Sequence, residues 1–458
     1  MRKNVSLLIL AVSLVMVGGC NTPKEQLLTF DRHFESSDYQ AAAAFAEKNI
    51  KNKTNPARED LLWTLQAAAA KRALKDYASS TSDFDKAEEF LKYYDLRFSA
   101  ADDMAATAVN DNIIPYKGQE YDGVMVNVYK ALNFLAEGNY DLAKVEFNRA
   151  LDRQRRSKEH FEKEIAKTKE SIDKAKYASL INDPNTQKTI QSQYPELNEY
   201  EPYRDYVNPF VTYLASIYFN ATGDISTARN LLKETCGLVP ENKRIADEFA
   251  ETEAAIFTGR TIKNTVWVIF ENGLGPRKDE FRIDLPLFIV TDRVQYVGIA
   301  LPRLTYRDIA FPYLLIDAND AKYNTTVVGD MDRVIGAEFK KDFNGILARA
   351  IISTTGKALT QYAMTNQNSN EADIGSIMVA IYSFLTNAAD VRIWTALPKD
   401  FQFARLQIPE NKELMITPAG GQPIDIHLPN CDNVLVYIKI TQRGSTPIYE
   451  VIPFGKRF

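Results

Sequence analysis

The stretch Asn272-Gly273-Leu274-Gly275-Pro276-Arg277-Lys278-Asp279-Glu280 holds the residue types that most directly suggest chemistry. Two glycines beside an arginine and a lysine could cradle a phosphate, with backbone N–H groups and cations sharing its charge. The order of the residues argues against that use. A Walker loop needs lysine directly after its last glycine, then Ser or Thr and a helix, and a dinucleotide loop needs a third glycine and a helix. Here Lys278 is followed by two acids, the next residues read as a strand, and Pro276 removes an N–H donor. The stretch reads as strand, glycine turn, strand, with no nucleotide bound. Arg277 and Lys278 are expected at an exposed loop tip that contacts a partner.

Other reactive residues are sparse. His33, His160 and His427 lie far apart, and none has a second metal ligand at helical or short-loop spacing. No His-Glu-x-x-His, Gly-x-Ser-x-Gly or Ser-x-x-Lys arrangement occurs. The expectation is a protein without metal, cofactor or enzymatic activity. Cys236 and Cys431 read as two buried, unreactive thiols, with a disulfide between them as the alternative.

At the N-terminus, Arg2 and Lys3 precede an apolar run from Val5 to Val17. This pattern marks an export signal, and the run is too short for the roughly 20 residues of a spanning helix. Val17-Gly18-Gly19 before Cys20 resembles the lipobox of bacterial lipoproteins. That resemblance implies removal of residues 1–19 and a diacylglycerol on the Cys20 sulfur, and Asn21 in place of Asp implies the outer membrane. An ordinary secretory signal is the alternative. Removing the signal takes the formal charge of the 458-residue chain from −5 to −7. A mildly acidic surface argues against nucleic acid as a partner.

The elements that must position any site divide into two textures. From Lys24 to about Thr258 the chain is rich in Ala, Leu, Glu and Lys with apolar residues at helical spacing. Ala131, Phe134, Gly138, Ala143, Phe147 and Ala150 fall where a tetratricopeptide repeat (TPR) places its small, aromatic and turn residues. Ser216, Phe219, Gly223, Ala228, Leu232 and Pro240 repeat that scheme. Small residues let two helices approach closely, glycine opens the turn, and proline ends the second hairpin. Weaker echoes surround Tyr39 and Ala42, and Phe84 and Ala87. Four helical hairpins are expected, a plain helical bundle being the alternative. A charged helical insertion from about 152 to 200 breaks the period, with Phe161 and Ile165 on a narrow apolar stripe. After it, Tyr194, Tyr200, Tyr203, Tyr206 and Tyr213 are interleaved with acids and prolines. They are read either as a partner surface or as rings that pin an irregular loop.

After Gly259, strand-like runs of Val, Ile, Phe and Trp alternate with turn residues. Two helices interrupt them, at about 330–365 and 372–389, and the second carries no charge from Ile374 to Ala389. It reads as a buried helix or as a surface that meets lipid. Strands are expected at "DVRIWTALP", "FQFARLQIP", "KELMITPAG", "PIDIHLP", "NVLVYIKITQ" and "PIYEVIPF", paired antiparallel.

The lipobox, the "DYVNPFVTYLASIYF" and "GDISTARNLL" helices, the "FENGLGPRKDEFRIDLPL" hairpin and the "ADVRIWTALPKDFQFARLQIP" segment together resemble a family of uncharacterised bacterial envelope lipoproteins with TPR-like repeats. The resemblance brings no catalytic residues. It implies a gene neighbourhood of small lipoproteins similar to activators of penicillin-binding proteins, hence cell-wall or outer-membrane assembly.

The expected fold class is therefore α+β. A signal (1–19) precedes a TPR-like α-helical repeat (solenoid) domain (20–259) and a mixed α/β domain with antiparallel strands (260–458). The expected function is a non-enzymatic scaffold, lipid-anchored on the periplasmic side of the outer membrane. Its repeats would grip envelope proteins on a concave surface. A carrier of a small glycan or lipid is the alternative.

Overall fold

The computed structural model describes residues 22–52, 56–97, 115–173, 183–199, 201–286, 296–318, 321–365 and 389–456. The signal, Cys20, Tyr200 and the apolar stretch 374–388 lie outside them. The chain combines N-terminal helices with C-terminal sheets. Four hairpins build the helical half: α1 (Pro23–Glu35) with α2 (Tyr39–Asn49), α3 (Asp60–Ala73) with α4 (Tyr77–Arg97) and α5 (Glu120–Ala136) with α6 (Tyr140–Asp173), then, after α7 (Pro184–Gln193), α8 (Pro209–Ala221) with α9 (Ile225–Leu238). Helix α10 (Lys243–Thr258) follows and stops at Gly259.

All four hairpins turn by one device. A left-handed residue ends the first helix: Ser37, Lys75, Gly138 or Gly223. An Asp or Asn then caps the second helix, accepting the N–H three residues on. Asp38 accepts from Ala41 (3.1 Å), Asp76 from Ser79 (3.2 Å), Asn139 from Leu142 (3.3 Å) and Asp224 from Thr227 (3.1 Å). The turn reverses the chain while supplying a partner to N–H groups that a helix start leaves orphaned. In the second hairpin the turn is Lys75-Asp76-Tyr77, whereas the expected one around Phe84 lies inside α4. Asp83-Phe84 repeats the Asp-aromatic pair seven residues on, about two helical turns, and so presents the same face. The charged stretch after residue 152 begins as an unbroken extension of α6.

Of the residues expected at the helix crossings, Ala131, Ala143, Ala150 and Ala228 are fully buried, as are Phe147 and Leu232, with Phe219 nearly so. Phe134 is half-buried against the core, and the exposed Pro240 follows the end of α9.

The second half contains β1 (Thr265–Asn272), β2 (Arg277–Pro286), β3 (Tyr296–Thr305), β4 (Leu314–Ala318), β5 (Ala321–Asn324), β6 (Thr326–Asp330), helix α11 (Met331–Thr365), β7 (Asp400–Gln407), β8 (Glu413–Pro418), β9 (Ile424–His427), β10 (Cys431–Ile440) and β11 (Ile448–Lys456). A five-stranded sheet runs β11-β10-β1-β7-β6, a four-stranded one β5-β4-β8-β9, and β2 pairs with β3. Three expectations are corrected here. Strands β1 and β10 run parallel, Trp267 beside Leu435 and Glu271 beside Lys439. Strands β1 and β2 belong to different sheets, so the glycine loop joins no hairpin. The "DVRIWTALP" segment is not a strand: it lies irregular and buried, with Arg392 donating to Arg58 O and Thr395 accepting from Gln66 of α3 (2.7 Å).

Every residue of β1 is buried. Its even-numbered face, Val266, Val268 and Phe270, packs on Leu314, Ile316, Leu414 and Ile416 of the four-stranded sheet. Its other face meets the helices. Phe210 of α8 stacks on Phe401 of β7 at 3.6 Å between centroids, Tyr213 packs on Phe403, and Tyr129 of α5 packs on Trp394. The first helices of the last three hairpins, α3, α5 and α8, are buried along nearly their whole lengths. The open gripping surface expected of the hairpins is thus filled by the chain's own sheet.

The charges in this interface include two buried pairs. Glu271 is paired with Lys439 and accepts from Tyr437 (2.6 Å) and from Tyr129 (3.0 Å), while Arg72 of α3 pairs with Glu450 at 3.0 Å. Burial works against the charge on Glu271, but Lys439, Tyr437 and Arg72 outweigh it and hold the carboxyl below its ordinary range. Removing one partner of such a pair strands the other, at about 3–5 kcal/mol. Glu271→Gln is therefore expected to lower the urea unfolding free energy by about that amount, while Arg155→Ala on the exposed side of α6 leaves it unchanged. At the turns, nothing lies within 4 Å of a Cβ built on Gly138 or Gly223. Gly223→Ala should cost only the left-handed strain, about 1 kcal/mol, and Lys75→Gly should not destabilise; both read out in the same denaturation.

Candidate functional site

The glycine loop answers to packing. Gly273 N–H donates to Ile440 O and Gly275 N–H to Leu397 O, both at 2.8 Å, so neither is available to a phosphate. A Cβ on Gly275 would sit 3.1 Å from Pro398 O. Arg277 pairs with Asp31 (2.7 Å) and Glu35 of α1, and Arg307 joins them at 3.2 Å from Glu35. Lys278 is half-buried, 5.8 Å above the Phe339 ring. Arg277 thus ties the sheet half to the first helix, Lys278 lies against α11, and neither forms an exposed tip.

The tyrosine segment is also turned inward. Tyr194 is fully buried against Phe281 and Phe343, with Arg303 at 5.1 Å over its ring. Tyr203 is buried, accepts from Asp330 N–H (3.0 Å) and carries the Arg333 guanidinium at 3.8 Å. Tyr213 is buried and donates to Glu248 (2.8 Å), which also accepts from Trp267 (2.7 Å). Tyr194 and Tyr203 anchor an otherwise irregular segment to the body and Tyr213 anchors α8, so none of the three can also face a partner. Tyr206 alone of those described stays accessible, at 37% exposure and a left-handed φ of 58°.

Tyr206 stands at the lip of a groove between α5, α6, α11 and the segment before α8. The groove is open to solvent and contains about 490 Å³ of empty space, mouth included. Tyr206 stacks on Phe161 of α6 at 4.5 Å between centroids, and Tyr203, Val124, Met125 and Val334 continue the wall. Its polar lining is Glu120, Gln154, Ser157, Asn208 and Glu338.

Glu338 reaches from α11 to the start of α5, where its Oε1 accepts from Glu120 N–H at 2.8 Å. The Gln119 amide, oriented with its nitrogen toward the acids, donates to the same oxygen (2.8 Å) and to Asp342 (3.2 Å). Beneath them Asp122 accepts from Gln119 N–H (2.9 Å) and Tyr116 OH (2.5 Å). Burial pushes Glu338 up to about 8, Lys341 opposing and Asp342 and Glu120 adding to it. Burial likewise pushes Asp122 up to about 7 against its hydrogen bonds. Sequence reasoning missed Glu338 because its partner N–H lies 218 residues away, and no local pattern encodes that meeting.

His427 is exposed and His33 partly so, each near one carboxylate: Glu413 at 3.5 Å and Asp38 at 3.6 Å. Among the described residues, no group of three or more His, Cys, Asp or Glu is arranged to hold a metal, and no helix is long and apolar enough to cross a membrane. Cys236 and Cys431 are both free thiols, the first half-buried and the second buried. Comparison with known protein families, curated proteins and solved structures finds no match to this chain.

The raised carboxyls set a pH dependence of definite sign. Glu338 and Asp122 keep their protons in the folded state up to about pH 8 and 7, but lose them near pH 4 when unfolded. The folded state binds more protons across that window, so stability falls as pH rises through it. Urea midpoints are expected to drop between pH 5.5 and 8.5, and Glu338→Gln should reduce the slope. An unchanged slope in that variant would refute the assignment.

Proposed function

We propose that this protein is a non-enzymatic adaptor of the bacterial envelope, lipid-anchored at Cys20 on the periplasmic side of the outer membrane, that binds envelope proteins through the groove beside Tyr206. The four hairpins are TPR-like units whose inner face is used internally, to hold the sheet, and the recurrence of one turn chemistry supports that reading. The observation that carries the function is the groove itself. It joins aromatic rings to a few fixed polar groups beside an accessible tyrosine, the composition of an interface anchor pocket.

The role in cell-wall or outer-membrane assembly rests on the family resemblance. With α1 beginning at Pro23, only about 7 Å of chain separates Cys20 from Thr22. A lipid on that sulfur would hold the body close against the membrane. A small-ligand carrier is the second reading, favoured by Tyr203 and Tyr206 lining the same groove.

A photo-crosslinking residue at position 206 in native envelopes is expected to give a discrete protein adduct. That adduct should be lost with Phe161→Asp and absent from position 415 on the outer sheet. Cys20→Ser should release the protein from membranes. Adducts to small molecules alone would favour the carrier, and no adduct at 206 would sink the adaptor.

A further inference from the structure

The polar side chains that line the groove are already spent on the protein itself. Gln154 accepts from Asn208 N–H (2.8 Å) and donates to Thr212 (3.3 Å). The Asn208 amide accepts from Phe210 N–H (3.1 Å) and donates to the Met331 sulfur (3.2 Å). Ser157 Oγ lies 2.9 Å from both Glu120 Oε2 and Arg153 O. Glu338 accepts from Glu120 N–H and the Gln119 amide, with Lys341 at 4.0 Å. The nearby cations are engaged as well: Lys341 with Asp342 (3.3 Å), Arg153 with Glu88 (3.0 Å), and Arg333 with the Tyr203 ring and Glu201 O. What the lining still offers an occupant is apolar surface, from Val124, Met125 and Val334 and from the rings of Phe161 and Tyr206.

Resting on the adaptor reading above, we infer that the groove takes an uncharged apolar side chain of a partner protein, of leucine or phenylalanine type, which displaces water from Val124, Met125 and Val334 beside the Tyr206–Phe161 pair. A charged or amide-bearing side chain would give up its hydration and meet polar groups that are already bonded. A phospholipid would bring its phosphate to cations that are already engaged. A neutral occupant leaves each of these bonds in place, and Glu338 with its proton. That proton gives the uptake a pH dependence. The titratable groups facing Glu338 are Glu120 and Tyr121 from α5, Lys341 and Asp342 from α11, and Tyr203 and Tyr206 across the groove. Asp122, held up to about 7, lies beneath the Gln119 amide and does not line the groove. An apolar occupant removes water that an ionised Glu338 needs, so its affinity falls as pH rises through about 8. A cationic occupant would show the opposite sign.

The test uses the mature protein labelled with ¹³C-methyl methionine, the Met125 signal being assigned through Met125→Leu. The probes are Nα-acetyl-leucine methylamide and its glutamine and lysine analogues. The leucine probe is expected to move the Met125 signal, with the other two weaker by about ten-fold or more. Its affinity should fall about ten-fold from pH 6.5 to 9, the factor for ionising a carboxyl held near 8. At pH 9, Glu338→Gln should bind the leucine probe more tightly than the unsubstituted protein does, and it should show no such fall.

Equal binding of the glutamine or lysine probe, or an affinity that does not fall with pH, overturns the inference. Displacement of the leucine probe by phosphatidylethanolamine–phosphatidylglycerol vesicles, with lipid carried away on the protein, reassigns the occupant to an acyl chain and also overturns it. If crosslinking at position 206 captures a protein while the leucine probe leaves Met125 unmoved, the apolar inference alone fails. If the probe binds as expected and position 206 captures no protein, the adaptor reading fails, and the partner protein of this inference with it.

Discussion

A sheet covered on both faces can carry charge only where every charge finds a partner, and β1 imposes that condition on the rest of the molecule. Its side chains alternate between a purely apolar contact with the four-stranded sheet and a contact with the helices that includes Glu271. Burying that carboxylate is tolerable because Lys439 and Tyr437 stand beside it on β10 and Tyr129 reaches it from α5. Arg72 and Glu450 repeat the arrangement one layer out. Charged pairs of this kind contribute little net stability compared with apolar packing, but they strongly penalise any other alignment of helices and sheet. The alignment in turn seats α3, α5 and α8 on the sheet and brings α11 against the start of α5.

From that alignment follows what the surface has left to offer. The hairpins resemble repeats that elsewhere present an open face, but here the first helices of the last three hairpins are interior elements of one continuous core. The layers fail to close at the groove beside Tyr206. It forms because the irregular segment between α7 and α8 cannot follow the helix surface. Tyr194 and Tyr203 pin that segment at two points, each under an arginine. Tyr206 is left in a left-handed backbone conformation with its ring on Phe161.

The two clusters of ionisable groups behave oppositely for one reason. At Glu271 a lysine and an arginine outweigh burial, so the carboxylate remains charged. At Glu338 a single lysine is set against two further acids, so burial prevails and the proton is retained. The first arrangement is a structural pair. The second is a buried carboxyl that keeps its proton.

By itself the sequence determined whatever depends on residues within a few positions of one another. The glycine turns at Gly138 and Gly223 and most strands could be read directly, because turn chemistry and periodic burial act over one to four residues. The same locality produced the displaced turn at Asp83-Phe84, where a seven-residue echo presents an identical helical face. Only the tertiary structure decided the parallel pairing of β1 with β10 and the filling of the hairpins' inner face. It also turned the tyrosines inward, tied Arg277 to Asp31 and brought Glu338 to the α5 N-terminus. These depend on contacts between segments more than a hundred residues apart, and a tyrosine or arginine looks the same in the chain whether its partner is solvent, another protein or its own fold.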